Sequence, residues 1–252
     1  MGTYFVLELK RALRDPSALV FTIGIPAFMY VIFGVTMEWG EYQIGNGNVS
    51  MYVMINMAAY GAVTATTSVG GLAAVERMQG WGRQLGLTPM PDSRFVLTKA
   101  LVGTTVAALP IALIYLIGSF TDAQAEWWVW PATAALVLAG ALLFSLYGLA
   151  VGFLFRSENA VGIASGMVVI FGFLGNVFMP LSGAMLTFAK FTPLYGLAAL
   201  ARRPLTEGNE IDQSTGDLLV EPLWTSVANV VAWMLIFGIA AILLVRRSRE
   251  RQ

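Results

Sequence analysis

The side chains that perform most enzyme chemistry are missing from this sequence. It contains no histidine and no cysteine. That excludes imidazole acid–base catalysis, thiol nucleophiles, disulfides and zinc sites of the usual kind. Two serines in apolar surroundings, Ser165 and Ser182, have no visible base to activate them. The three lysines, Lys10, Lys99 and Lys190, all stand outside any G-x-x-x-x-G-K-[ST] context, so no phosphate-binding loop for ATP is encoded. No catalytic residue, no metal site and no cofactor bound by this chain are expected.

Two other patterns remain. Asn56, Tyr60, Thr64, Thr67 and Gly71 recur at helical spacing, which puts them on one face. In an apolar helix such a face turns to a watery pathway or to a neighbouring helix, and the pattern alone leaves both open. Ser165, Gly172 and Asn176 lie near one stripe further along, beside Gly162 and Gly166; Gly148 and Gly152 form a second pair of that spacing. Small residues four apart let helices approach closely. The other pattern is the charged segment 76–99. It holds Glu76, Arg77, Trp81, Arg83, Gln84 and Leu85, followed by Pro89 and Pro91. It reads as a short helix stopped by proline, able to dock a soluble partner or to serve as a plain connector.

The elements that must position these residues follow from where charge is absent. Six stretches carry none: 16–37, 42–75, 100–121, 127–155, 159–189 and 222–245. About 20 helical residues cross the hydrocarbon core of a bilayer, and a charge at its centre costs roughly 3 kcal/mol. Only 12% of residues are charged and 57% are hydrophobic, where a soluble domain is about a quarter charged. The predicted fold is all-α: a polytopic membrane protein forming one transmembrane domain over residues 1–252. Its spans are expected near 18–37, 51–75, 97–119, 129–155, 159–178 and 223–245. Residues 3–14, with a basic and an apolar face, read as an interfacial helix. Residues 179–222 read as an outer loop with a short re-entrant segment between Pro180 and Pro193. The acidic run Glu207, Glu210, Asp212, Asp217 and Glu221 reads as an exposed face of that loop.

Loop charges give an orientation. Lys10, Arg11 and Arg14, then Arg77, Arg83, Arg94 and Lys99, then Arg156, and finally Arg246, Arg247, Arg249 and Arg251 fall on one side. Lys190, Arg202 and Arg203 fall on the other. The positive-inside rule makes both termini cytoplasmic. Trp39, Trp127, Trp128, Trp130 and Trp224 then sit at the outer boundary, where amphipathic rings prefer to lie. The six predicted spans contain no ionisable side chain of the kind that couples carriers to protons or sodium, so energy is expected from outside the chain.

Glu76, Arg77, Gly80, Arg83, Leu85, Thr88, Pro89 and Lys99, in that order, resemble the cytoplasmic loop of ABC type-2 transporter permeases. The N-terminal helix ending at Asp15-Pro16 is similar to that family's connecting helix, and Phe178-Met179-Pro180 with Phe191 through Tyr195 is similar to its late re-entrant region. The resemblance implies a permease subunit of a bacterial ABC exporter in the inner membrane. It implies a second permease subunit, homodimeric or related, and a separate ABC ATP-binding subunit carrying ATP and Mg, with membrane lipid around the assembly and no nucleic acid. It implies that segment 76–99 is the coupling loop and contains the coupling helix, with Glu76, Arg77, Trp81, Arg83, Gln84 and Leu85 meeting the ATPase. It implies that the second and fifth spans line the pathway, through Asn56, Tyr60, Thr64, Thr67, Ser165, Val169, Phe173 and Asn176. The expected cargo is a lipophilic or amphipathic drug or antibiotic. Export of a lipid or lipid-linked glycan is the alternative, ahead of a stand-alone channel or carrier.

Overall fold

The computed structural model describes residues 2–76, 92–155, 159–211 and 218–249. Helix α1 (Gly2–Ala12) is followed by a turn at Pro16–Leu19 and by helix α2 (Val20–Val35), whose end segments Val20–Gly24 and Val31–Val35 are π-helical. A small hairpin, β1 (Gln43–Ile44) and β2 (Gly47–Asn48), leads into α3 (Val49–Glu76). Helices α4 (Asp92–Ser119), α5 (Val129–Phe155), α6 (Ala160–Leu174), α7 (Gly183–Ala189) and α8 (Pro193–Thr206) follow. A second antiparallel hairpin, β3 (Asn209–Ile211) and β4 (Leu218–Val220), precedes the last helix, α9 (Leu223–Arg249).

Helix α3 is the trunk, packed against α4, α5, α6 and α8. Asn48 starts it: its side-chain oxygen accepts the Met51 amide at 3.0 Å, an N-cap of the usual kind. Small buried residues along α3, among them Ala58, Ala59, Ala62 and Ala74, let neighbours come close. Helix α5 comes closest because Gly148 and Gly152 lack a Cβ. One at Gly148 would strike the Thr67 carbonyl oxygen, and one at Gly152 the Ala74 methyl. That glycine pair is therefore a packing contact. Gly162 and Gly166, by contrast, have nothing within 4 Å of where a Cβ would stand.

The hydropathy gradient runs opposite to that of a water-soluble protein. The trunk α3 is the least apolar of the long helices, with mean hydropathy 1.2 and 83% of its core window buried. Peripheral α9 has mean hydropathy 2.5 and only 6% buried. It presents Leu235, Ile236, Ile239 and Leu243 outward. In water that face would cost free energy in proportion to its apolar area. Against lipid it costs nothing, so large apolar side chains need not be confined to the interior.

Among the described residues, α3, α4, α5 and α9 are each long and apolar enough to cross a bilayer, and α7 with α8 passes as a pair bent by 94°, giving four or five candidate crossings. The predicted first and fifth spans are shorter helices than expected. Helix α2 stops at Val35, and α6 stops at Leu174 because Gly175 and the left-handed Asn176 (φ 60°) turn the chain away. A larger correction concerns the predicted outer loop. Residues 193–206 are helical, and Arg202, Glu210 and Glu221, expected on an exposed acidic loop, are buried.

Candidate transport pathway

Three polar features are built on this trunk. The first lies where α1 meets the C-terminal end of α3 and the start of α4. Lys99, almost fully buried, holds Glu8 at 2.5 Å and Glu76 at 2.7 Å, and Glu76 also pairs with Arg11 at 3.2 Å. A buried ammonium is tolerated only when paired in this way. The cluster ties α1, α3 and α4 together at the residue that leads into segment 77–91. Tyr4 stands beside it; burial, then the neighbouring Glu8 carboxylate and the hydrogen bond to it, push the phenol pKa above its ordinary range. The C-terminal half of α9 packs at the same end, with Ala241 and Val245 in one apolar cluster with Phe95 and Tyr4.

The second feature is a lateral groove between α2, α3 and α6, of about 480 Å³. Tyr60, Thr64 and Ser68 of α3 face Ser165, Gly166 and Val169 of α6 across it, with Phe21 and Ile25 of α2 at its side. The Thr64 hydroxyl donates to the Tyr60 carbonyl at 2.8 Å, so that polar group of the wall is satisfied. Absence of a Cβ at Gly166 leaves room there.

The third feature closes the opposite end. Helix α8 reverses at Glu207 and Gly208, both with positive φ (58° and 86°), a turn that glycine allows without strain. The reversal folds β3 back so that Glu210 meets Arg202. The guanidinium is fully buried and donates to both Glu210 carboxylate oxygens, at 2.7 and 2.8 Å. It also donates to the Asn56 side-chain oxygen and the Asn176 carbonyl, both at 2.9 Å, and lies 5.0 Å from the Tyr52 ring centre. Asn176 completes the knot, donating to Glu210 at 3.1 Å while accepting the Leu181 amide at 2.7 Å. Next to it the Tyr195 hydroxyl donates to Glu221 at 2.5 Å, and Lys190 pairs with Glu221 at 3.1 Å. The loops join this end too: the Asn46 amide donates to the Leu205 carbonyl at 2.8 Å, and the Asn48 side chain donates to the Asp122 carbonyl at 2.6 Å. Trp39, Trp127 and Trp224 are largely exposed, and Trp130 packs on Tyr115 at 6.0 Å.

The structure therefore sorts the sequence-derived pathway residues into two groups. Tyr60, Thr64, Ser165 and Val169 line the groove. Asn56 and Asn176 instead hold Arg202, Thr67 is buried where α5 crosses, and Phe173, half exposed, packs on Phe178 at 4.9 Å. Of the residues expected to meet an ATPase, Glu76 belongs to the Lys99 cluster. Arg77, Trp81, Arg83, Gln84 and Leu85 lie outside the described residues. The sequence reading missed that Asn56, Asn176 and Glu210 converge on Arg202. A usable signal was there: Arg202 ends a charge-free run opened by Pro193, a helix-start residue, with glutamate eight positions on.

Four or five helices apolar and long enough to cross a bilayer, among the described residues, fit a multi-pass membrane protein. A family model described as "ABC-2 type transporter" matches residues 2–196, and the chain belongs to that family of transport permeases, transporter subunits that typically work with an ATP-binding subunit. It is similar to a Bacillus subtilis (strain 168) protein named "Putative transport permease YvfS", with 23% identity over 256 residues, covering 97% of this chain and 96% of the relative.

Proposed function

We propose that this chain is the membrane permease of an ATP-driven exporter that moves lipophilic or amphipathic compounds, drugs or antibiotics among them, out of a bacterial cell through its inner membrane. The observation that carries this reading is the groove between α2, α3 and α6, apolar at its sides and lined by uncharged hydroxyls. It suits a cargo with modest polarity and gives a cation no counter-charge other than Asp15 at one end. In this reading α2 and α6 complete six crossings despite their length, and both termini face the cytoplasm. A second permease copy closes the groove by apposing its own α2 and α6. Segment 77–91 docks a separate ATP-binding subunit, whose hydrolysis of ATP opens and closes the groove by alternating access.

The test is ATPase activity of the chain co-reconstituted in liposomes with its cognate ATP-binding subunit, scanned over lipophilic drugs and lipid-linked sugars. Drugs are expected to stimulate hydrolysis, and Thr64→Leu and Ser165→Leu to change which drugs do so. Stimulation by the sugars alone would overturn the drug assignment. For coupling, Arg83→Ala is expected to weaken co-purification of the ATPase without loss of membrane insertion.

A further inference from the structure

A second cavity, of about 420 Å³, opens between α1, α2, α3 and α4 beside the Lys99 cluster. That is within the range of small-ligand sites. Its floor is aliphatic: Leu19, Ala65, Val69, Leu72, Val102 and Val106. Its rim carries Arg11, Arg14 and Asp15, and one wall is the Glu8–Lys99–Glu76 triad. A charged rim over an aliphatic floor is the shape of an amphiphile site.

The sign of the headgroup follows from which valences are already taken. Lys99 is neutralised by two carboxylates that take two of its three donors, and its side chain is only 2% exposed, so it offers a ligand little. Glu8 and Glu76 are engaged by it in turn, and Asp15 has an interaction of its own. Arg11 makes one ion pair through one nitrogen and is 55% exposed. Arg14, one turn on (its amide bonds the Arg11 carbonyl at 3.1 Å), is exposed and has no ion-pair partner among the described residues. A guanidinium offers five N–H donors in a planar fork. The capacity left at the rim is therefore guanidinium donors, which match phosphate oxygens in bidentate geometry.

This cavity adjoins the groove. Asp15, Thr22, Ser68 and Leu72 line both, so a chain laid on the aliphatic floor points past Thr22 and Ser68 toward Tyr60, Thr64 and Ser165. We infer that the cavity is a binding site for a phosphate-headed lipid. Arg11 and Arg14 hold its headgroup at the membrane surface, its chain lies along the aliphatic floor, and the site is the antechamber through which such a lipid reaches the groove. The inference rests on the groove being the pathway.

Photocrosslinking of the full-length chain in nanodiscs tests it. Val69→p-benzoylphenylalanine reports the antechamber and Val169→p-benzoylphenylalanine the groove. The probes are radiolabelled dioctanoyl phosphatidylglycerol and, lacking the phosphate, dioctanoylglycerol. The phosphate probe is expected to label Val69 at least tenfold more strongly than the diacylglycerol, and to label Val169 as well. Arg11→Gln with Arg14→Gln is expected to lower labelling at both positions at least tenfold. Arg14→Gln alone, which breaks no ion pair, is expected to lower both several-fold with elution on gel filtration unchanged. Equal labelling by the two probes, or labelling undiminished in the arginine variants, overturns the site. Labelling of Val169 without Val69 overturns the route and leaves the groove as pathway. Labelling of Val69 without Val169 overturns the link between them. Competition by unlabelled phosphatidylglycerol or by a polyprenyl phosphate tells a bilayer lipid from an isoprenoid carrier.

Discussion

Replacing Glu210 with glutamine removes the charge that neutralises Arg202 while keeping the side chain's shape. In the native protein the guanidinium donates to two carboxylate oxygens at 2.7 and 2.8 Å, and the pair is sealed from solvent. The amide retains one oxygen acceptor and turns a donor toward Arg202. Breaking a buried pair from one side leaves an uncompensated charge and costs roughly 3–5 kcal/mol. The retained acceptor, with Asn56 and the Asn176 carbonyl still in place, puts Glu210→Gln near the lower figure. About 3 kcal/mol is a factor of roughly 150 in the folded ratio, or about 6–12 °C of melting temperature for a chain of this size. The double variant Arg202→Met with Glu210→Leu removes both charges and fills the space. Such replacements are often neutral for the pair itself, but Asn56 and Asn176 lose their partners, so it should melt above the single variant and below the native protein. The assay is thermal unfolding of the purified permease in one detergent, followed by far-UV circular dichroism. A Glu210→Gln variant as stable as the native chain, or a double variant no better than the single, would refute the assignment of a buried, mutually dependent pair.

Other substitutions separate packing from pathway. Lys99→Met leaves Glu8 and Glu76 facing one another; it should release α1, seen as faster hydrogen exchange over residues 2–12 and a loss of about 3 kcal/mol. Asn56→Leu takes an acceptor from Arg202 and should cost about 1–3 kcal/mol in melting experiments, whereas Thr64→Leu, on the groove wall, should leave stability within about 1 kcal/mol and change the transported compounds. Gly148→Leu must push α5 off the α3 backbone and should abolish a monodisperse gel-filtration peak. Gly166→Leu meets open space, so it should fold normally and impair transport.

The charge-free runs made the long helices legible to within a few residues: α3 at Val49–Glu76 against the expected 51–75, and α5 at Val129–Phe155 against 129–155. This works because a charge in hydrocarbon is penalised wherever it falls, so absence of charge marks the crossing. The ends of α2 and α6 were not legible, because backbone geometry sets them: π turns in one, a left-handed asparagine after the other. The polar stripe of α3 lies at helical spacing. Yet one face serves two purposes along 28 residues, a clamp on Arg202 at Asn56 and a groove wall at Tyr60 and Thr64. Nothing in the spacing separates them; the difference lies in what α8 brings, 146 residues away. The acidic run after Arg202 misled for a related reason. Composition counts charges and does not see that β3 folds one of them back.

That separation along the chain has a consequence for how the protein is made. Asn56 leaves the ribosome 146 residues ahead of Arg202, roughly 7–30 s at ordinary rates of synthesis. Glu210, however, is only eight residues behind Arg202, so closing that loop costs little entropy. The arginine can reach α3 already neutralised, as part of a preformed helix–hairpin unit, and the membrane never has to accept it bare. A chain that stops before residue 210 presents an arginine without its counter-ion, which marks it chemically as unfinished.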